Sequence, residues 1–266
     1  MLLAGCTATG SGGPNGSAEP LPTGLVGPVA PTVGPDALRY VALGDSYTFG
    51  DGVTQADRWP NQLVRILRPD LDLDIAANLA GRSTASQDVI EDQLPRLVDL
   101  EPQFVSVQVG VNDAIAANTV TAANYSDNMA TILDAVLGEV DADRVVVLTT
   151  PDYTLTPQGA IFDDPEGRSA RTREFNALLR DAARSRGIAV VDISPISDRV
   201  PLDPTLVAPD GLHPSGKQYA GWADLVAETV RKLFRETPTP SGESPAESTG
   251  DSPEASTDDL SPSVSP

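Results

Sequence analysis

Between residues 37 and 236, short β-branched runs alternate with longer segments in which apolar residues recur every three or four positions. The short runs Tyr40 to Leu43, Leu73 to Ala77, Phe104 to Val109, Val145 to Thr149 and Ile188 to Asp192 read as five strands. Each is apolar almost without interruption, as expected of a strand covered on both faces. Helical patterns lie between and after them, at Pro60 to Leu67, Ser86 to Val98, Tyr125 to Val140, Ser169 to Arg186 and Gly216 to about Arg235. In the third, Met129, Ile132, Leu133, Val136, Leu137 and Val140 follow at spacings of 3, 1, 3, 1 and 3, which places them on one helical face. Five βα units in series predict a parallel sheet with helices on both sides, a three-layer α/β/α sandwich. No second folded domain and no internal repeat is expected.

Composition sets the limits of that domain. Residues 1–36 and 237–266 each hold six of the 24 prolines and no Lys or Arg, so neither end has the makings of a core. All 18 basic residues fall in 37–236, a segment long enough to bury roughly 70% of its chain surface. The ends also carry eight of the 38 acids, which leaves the core near −12 and argues against a nucleic-acid partner. A single cysteine excludes an intramolecular disulfide, a Cys-based zinc site and a Cys-x-x-Cys redox pair. The single histidine means that any imidazole chemistry must use His213.

In open parallel sheets, ligands bind beyond the carboxyl ends of the strands. Gly44-Asp45-Ser46 follows the first strand, Asn78-Leu79-Ala80-Gly81 the second and Gly110-Val111-Asn112-Asp113 the third. Asp210-Gly211-Leu212-His213-Pro214 precedes the last helix. These types suit acyl transfer. A serine hydroxyl becomes a nucleophile when a neutral imidazole takes its proton, and a carboxylate fixes the imidazole's tautomer. Asp210 and His213 are three apart, so one turn presents both. The oxyanion formed on attack needs donors, for which the candidates are the Ser46 N–H, the Gly81 N–H and the Asn112 amide. Asp45 and Asp113 are expected to cap or brace their loops. Tyr153 and Phe162, in the long loop after the fourth strand, are candidates to line an acyl pocket.

With Ser46, Gly81, Asn112 and the Asp210/His213 pair in this order, the core from 39 to about 234 resembles an SGNH hydrolase of the GDSL esterase and lipase family. The resemblance implies a flavodoxin-like sheet of order 2-1-3-4-5 and ester or thioester hydrolysis without a metal or cofactor. Tyr47 stands in place of the leucine that gives the family its name. Two further readings stay open. In one the acyl group passes to a sugar hydroxyl, or is removed from one, on a cell-envelope polysaccharide; in the other the domain binds without turnover. Intact Ser46, Asn112, Asp210 and His213 argue against the last.

Leu3-Ala4-Gly5-Cys6 resembles the lipobox of bacterial lipoprotein precursors. Five residues precede Cys6 and none is basic, whereas an export signal needs a positive start and an apolar stretch, so an upstream start is expected. The resemblance implies lipidation of Cys6 and a place in the cell envelope, at the outer face of the cytoplasmic membrane. Residues 7–36 then read as a tether reaching between roughly 30 Å as coil and 90 Å extended. Residues 237–266 read as a disordered acidic Ser/Thr/Pro tail. No run of 18 apolar residues occurs, so no segment reads as a transmembrane helix. The expected assembly is a monomer whose partners are ester substrates and, through Cys6 alone, a membrane.

Overall fold

The computed structural model describes residues 33–116 and 119–236. The strands are β1 (Leu38–Gly44), β2 (Leu73–Asn78), β3 (Phe104–Gln108), β4 (Val145–Leu148) and β5 (Ala189–Val191). They form one parallel sheet of order β2-β1-β3-β4-β5, with Tyr40 opposite Phe104, Ser106 opposite Val146 and Val147 opposite Val190. Every residue of β3 and of β4 is buried, Ser106 and Gln108 of β3 included, as in strands covered on both faces. The helices are α1 (Ser46–Phe49), α2 (Trp59–Leu67), α3 (Ser86–Asp88), α4 (Leu94–Leu97), α5 (Val111–Ile115), α6 (Ala122–Leu137), α7 (Pro165–Arg184), α8 (Ser194–Ser197) and α9 (Gly216–Glu236).

Right-handed crossovers decide the layering. The step from β1 to β2 runs one way along the sheet and the steps toward β5 run the other, so α2 falls on one face and α4, α6 and α7 on the opposite one. α9 returns to pack against α2, and α6 packs against α7. The strand order reverses between β1 and β3, and that is where the loops carrying Ser46 and Asn112 emerge side by side.

Three elements depart from the periodic reading. The expected helix from Ser86 to Val98 is broken by a π turn over Val89–Gln93. Pro95 sits just after that turn and has no N–H to donate into a regular ladder. The π turn places the Gln93 side chain against β1, where it meets both polar groups of Gly44. The helix expected from Tyr125 to Val140 instead spans Ala122–Leu137, opened by Thr121, whose hydroxyl accepts the Asn124 N–H at 3.1 Å. The helix expected from Ser169 starts four residues earlier, at Pro165, because Asp164 caps it by accepting the Gly167 N–H and proline suits a first helical turn.

Candidate active site

The site is built where β1 turns into α1. Gly44 has φ +155°, and a Cβ there would stand 2.2 Å from the Gln108 carbonyl oxygen, so glycine alone lets β1 leave the sheet this close to β3. Asp45 follows, fully buried, and its Oδ1 accepts the Tyr47 N–H at 2.9 Å, which caps α1. Burial pushes its carboxyl up to about 7, against the lowering effect of the Tyr47, Val111 and Gly110 N–H groups, and the nearby Asp113 charge pushes the same way as burial. The Val111 and Gly110 groups act at a distance, since Asp45 Oδ2 makes no hydrogen bond among the described residues. Ser46 opens α1, so its N–H stands ahead of the helical hydrogen-bond ladder, and the carbonyl four residues back, that of Ala42, lies in β1 and accepts the Leu79 N–H.

His213 reaches Ser46 from 167 residues away. Its Nε2 is 2.9 Å from Ser46 Oγ and its Nδ1 is 2.7 Å from Asp210 Oδ2. The loop that carries both is closed by a Val207–Pro214 bridge, with the Ala208 N–H donating to the His213 carbonyl at 2.7 Å. Asp210 Oδ1 accepts the Leu212 and His213 N–H groups at 2.9 and 3.0 Å, so one carboxylate oxygen folds the loop while the other holds the ring. Burial acts to raise the Asp210 pKa, but those two N–H groups and the imidazole outweigh it and hold the carboxyl below its ordinary range. The β4–α7 loop clasps this turn, with the Gln158 N–H donating to the Gly211 carbonyl at 2.9 Å.

Asn112, in the first turn of α5, donates one Nδ2 hydrogen to the Thr84 carbonyl at 2.9 Å. That leaves its second N–H for a ligand. Asp113 is buried beside it and accepts the Ser86 N–H at 2.9 Å and the Ser86 hydroxyl at 2.5 Å, which ties α5 to α3. Burial raises its pKa and the bonds from Ser86 oppose that rise. Asp45 and Asp113 are thus caps and braces. The Gly81 N–H donates to the Gly44 carbonyl at 3.2 Å and is engaged there in this structure. Gly44 also receives the shorter pair of bonds from Gln93, whose Oε1 accepts its N–H at 2.9 Å and whose Nε2 donates to its carbonyl at 2.7 Å.

Tyr153 is 1% exposed, stands edge-on to Phe162 with centroids 5.8 Å apart, and its hydroxyl lies 3.4 Å from Arg168 Nη1. It therefore forms the interior of its loop and presents no open face to a ligand; Phe162 is half-buried in front of it. Cys6 lies outside the described residues. Among those residues, no group of three or more His, Cys, Asp or Glu side chains is placed to hold a metal, and no helix is long and apolar enough to cross a membrane. Gln93 and the contact between Tyr47 and His213 escape sequence reasoning, because neither a π turn nor a ring contact across 166 residues leaves a periodic trace.

A profile of the GDSL-like lipase/acylhydrolase family matches residues 42–220, which include Ser46, Gly81, Asn112, Asp210 and His213. The chain belongs to this family. Its SGNH fold recurs in the lipase/acylhydrolase of Enterococcus faecalis, at 20% identity and a TM-score of 0.58, over 74% of this chain and 96% of that one. It recurs also in Axe2, an acetylxylan esterase of Geobacillus stearothermophilus, at 16% identity and a TM-score of 0.58, over 73% and 94%. A G-D-S-L family lipolytic protein from Veillonella parvula matches at 16% and 0.58, over 76% and 100%. No curated protein matches the sequence significantly. As a member of the family, the chain is a carboxylic ester hydrolase.

Proposed function

We propose that the chain is a serine esterase acting on acyl or acetyl esters through Ser46, His213 and Asp210. The observation that carries this reading is the continuous relay from Ser46 Oγ to His213 Nε2 at 2.9 Å and from His213 Nδ1 to Asp210 Oδ2 at 2.7 Å. Ser46 Oγ attacks the ester carbonyl carbon while its proton passes to His213 Nε2, and Asp210 balances the imidazolium. The tetrahedral oxyanion sits against the Ser46 N–H and the free Asn112 N–H. Gly81 joins as a third donor by turning its N–H from the Gly44 carbonyl, which Gln93 continues to satisfy. The intermediate collapses as the alcohol leaves with the proton from His213. Water, deprotonated by the same imidazole, then hydrolyses the acyl-enzyme. The acetylxylan esterases among the structural neighbours make acetyl esters the first substrates to test.

The measurement is hydrolysis of p-nitrophenyl esters from two to sixteen carbons by wild type, Ser46→Ala and His213→Ala. Each variant is expected to lose about 10⁴ or more in turnover, and the double variant little further, because nucleophile and base act as one unit. A Ser46→Ala protein that keeps more than roughly a tenth of the activity refutes the serine mechanism.

Lipid attachment at Cys6 belongs to the same proposal. It is supported by the Leu3-Ala4-Gly5-Cys6 motif and by the Gly/Pro/Ser composition that follows. Mass spectrometry of the mature N-terminus from the native host tests it: an unmodified Cys6 rejects the anchor and leaves the esterase reading intact.

A further inference from the structure

Tyr47 follows the nucleophile, in the place of the signature leucine, and is 2% exposed. Its ring lies 5.0 Å from the imidazole of His213, centroid to centroid, at an interplanar angle of 53°. It also lies nearly parallel to Trp222, at 6.5 Å and 14°. Trp222 in turn meets Tyr219 edge-on at 5.2 Å and donates its indole N–H to Ser197 Oγ at 3.0 Å. His213 thus ends a column of aromatic rings whose far members belong to α9 and are pinned to α8.

The two hydrogen bonds of His213 hold only its nitrogen atoms; the rest of the ring is held by its bond to Cβ and by what packs against it. A flat side chain packed against the imidazole adds to that hold, and a leucine, shorter and not planar, cannot span from His213 to Trp222. The ring carries the contact, because the buried Tyr47 hydroxyl finds no hydrogen-bond partner among the described residues. We infer that Tyr47 is a positioning residue that braces the His213 imidazole and so keeps the Nδ1–H to Asp210 hydrogen bond closed. The inference rests on the triad proposed above.

The chain has one histidine, so the imidazole N–H signals of ¹⁵N-labelled protein belong to His213 without assignment. The experiment measures exchange of the Nδ1 proton with water, together with kcat and KM on p-nitrophenyl acetate, in wild type, Tyr47→Leu, Tyr47→Phe, Trp222→Phe and Phe104→Leu. Phe104 is a buried aromatic that packs on Tyr40 and Phe234, and it controls for loss of stability alone. Tyr47→Leu is expected to speed proton exchange and to lower kcat, each on the order of tenfold, the scale of one lost aromatic contact, with KM nearly unchanged. Tyr47→Phe restores both, and Phe104→Leu alters neither.

Wild-type exchange and kcat in Tyr47→Leu overturn the inference. So does a Tyr47→Phe protein as impaired as Tyr47→Leu, or a Phe104→Leu protein that reproduces the effect. If Tyr47→Leu does not fold, Trp222→Phe decides: thinner backing behind Tyr47 is expected to speed exchange, and an unchanged rate rejects the column. Failure of the triad reading is separate, because an active Ser46→Ala refutes it whatever Tyr47 does.

Discussion

Asp45 offers a stability experiment whose sign and size follow from its surroundings. In the folded chain its buried carboxyl keeps its proton up to about pH 7, whereas an unfolded chain releases it near 3.8. Between those values the unfolded state binds fewer protons than the folded one, so this group lowers stability as pH rises, and the loss is complete above about 7. A displacement from 3.8 to about 7 corresponds to roughly 4 kcal/mol. Asp45→Asn keeps an oxygen to accept the Tyr47 N–H and removes the charge. Its other polar atom becomes a donor facing the Val111 and Gly110 N–H groups, a cost that does not vary with pH. The pH dependence of the difference between the two proteins therefore isolates the ionisation. Urea unfolding at half-unit steps from pH 4.5 to 8.5 is expected to show Asp45→Asn gaining on wild type up to about pH 7 and then holding a constant margin. Asp113, also raised, contributes the same slope to both proteins, so it largely cancels. Parallel curves across the whole range refute the reasoning, because they mean that the carboxyl ionises as it does in water.

The other expectations concern the braces around the nucleophile. Gln93→Leu removes both side-chain bonds to Gly44 and leaves its buried N–H unpaired, at a cost of about 1–3 kcal/mol in urea unfolding. Its kcat on p-nitrophenyl acetate should fall as well, and full stability would show that the π turn serves no purpose at this strand end. Asn112→Ala removes an oxyanion donor and should reduce kcat by about 10² to 10³. Ser46 in that variant should still be labelled, more slowly, by an organophosphonate detected by mass; an unchanged kcat would reduce Asn112 to a turn residue.

The hydrophobic pattern alone determined much of this protein. Short, β-branched, uninterrupted runs such as Val145–Leu148 read as strands covered on both sides, because a polar face would have left a period of two. Small polar clusters at the ends of β1, β2 and β3 were legible for the same reason, since a buried strand must stop where its apolar run stops. The order β2-β1-β3-β4-β5 followed from the family resemblance and could not come from periodicity, which carries no record of which strand lies beside which. Tertiary structure decided the rest. Ser46 and His213 are 167 positions apart, and only the reversal of strand order at β1 and the return of the chain past β5 bring Oγ and Nε2 to 2.9 Å. The engagement of the Gly81 N–H by Gly44, the inward turn of Gln93 and the burial of Tyr153 depend in the same way on how neighbouring segments pack. A sequence records local preference along one dimension, while these contacts are set by which surfaces remain to be satisfied once the sheet has closed.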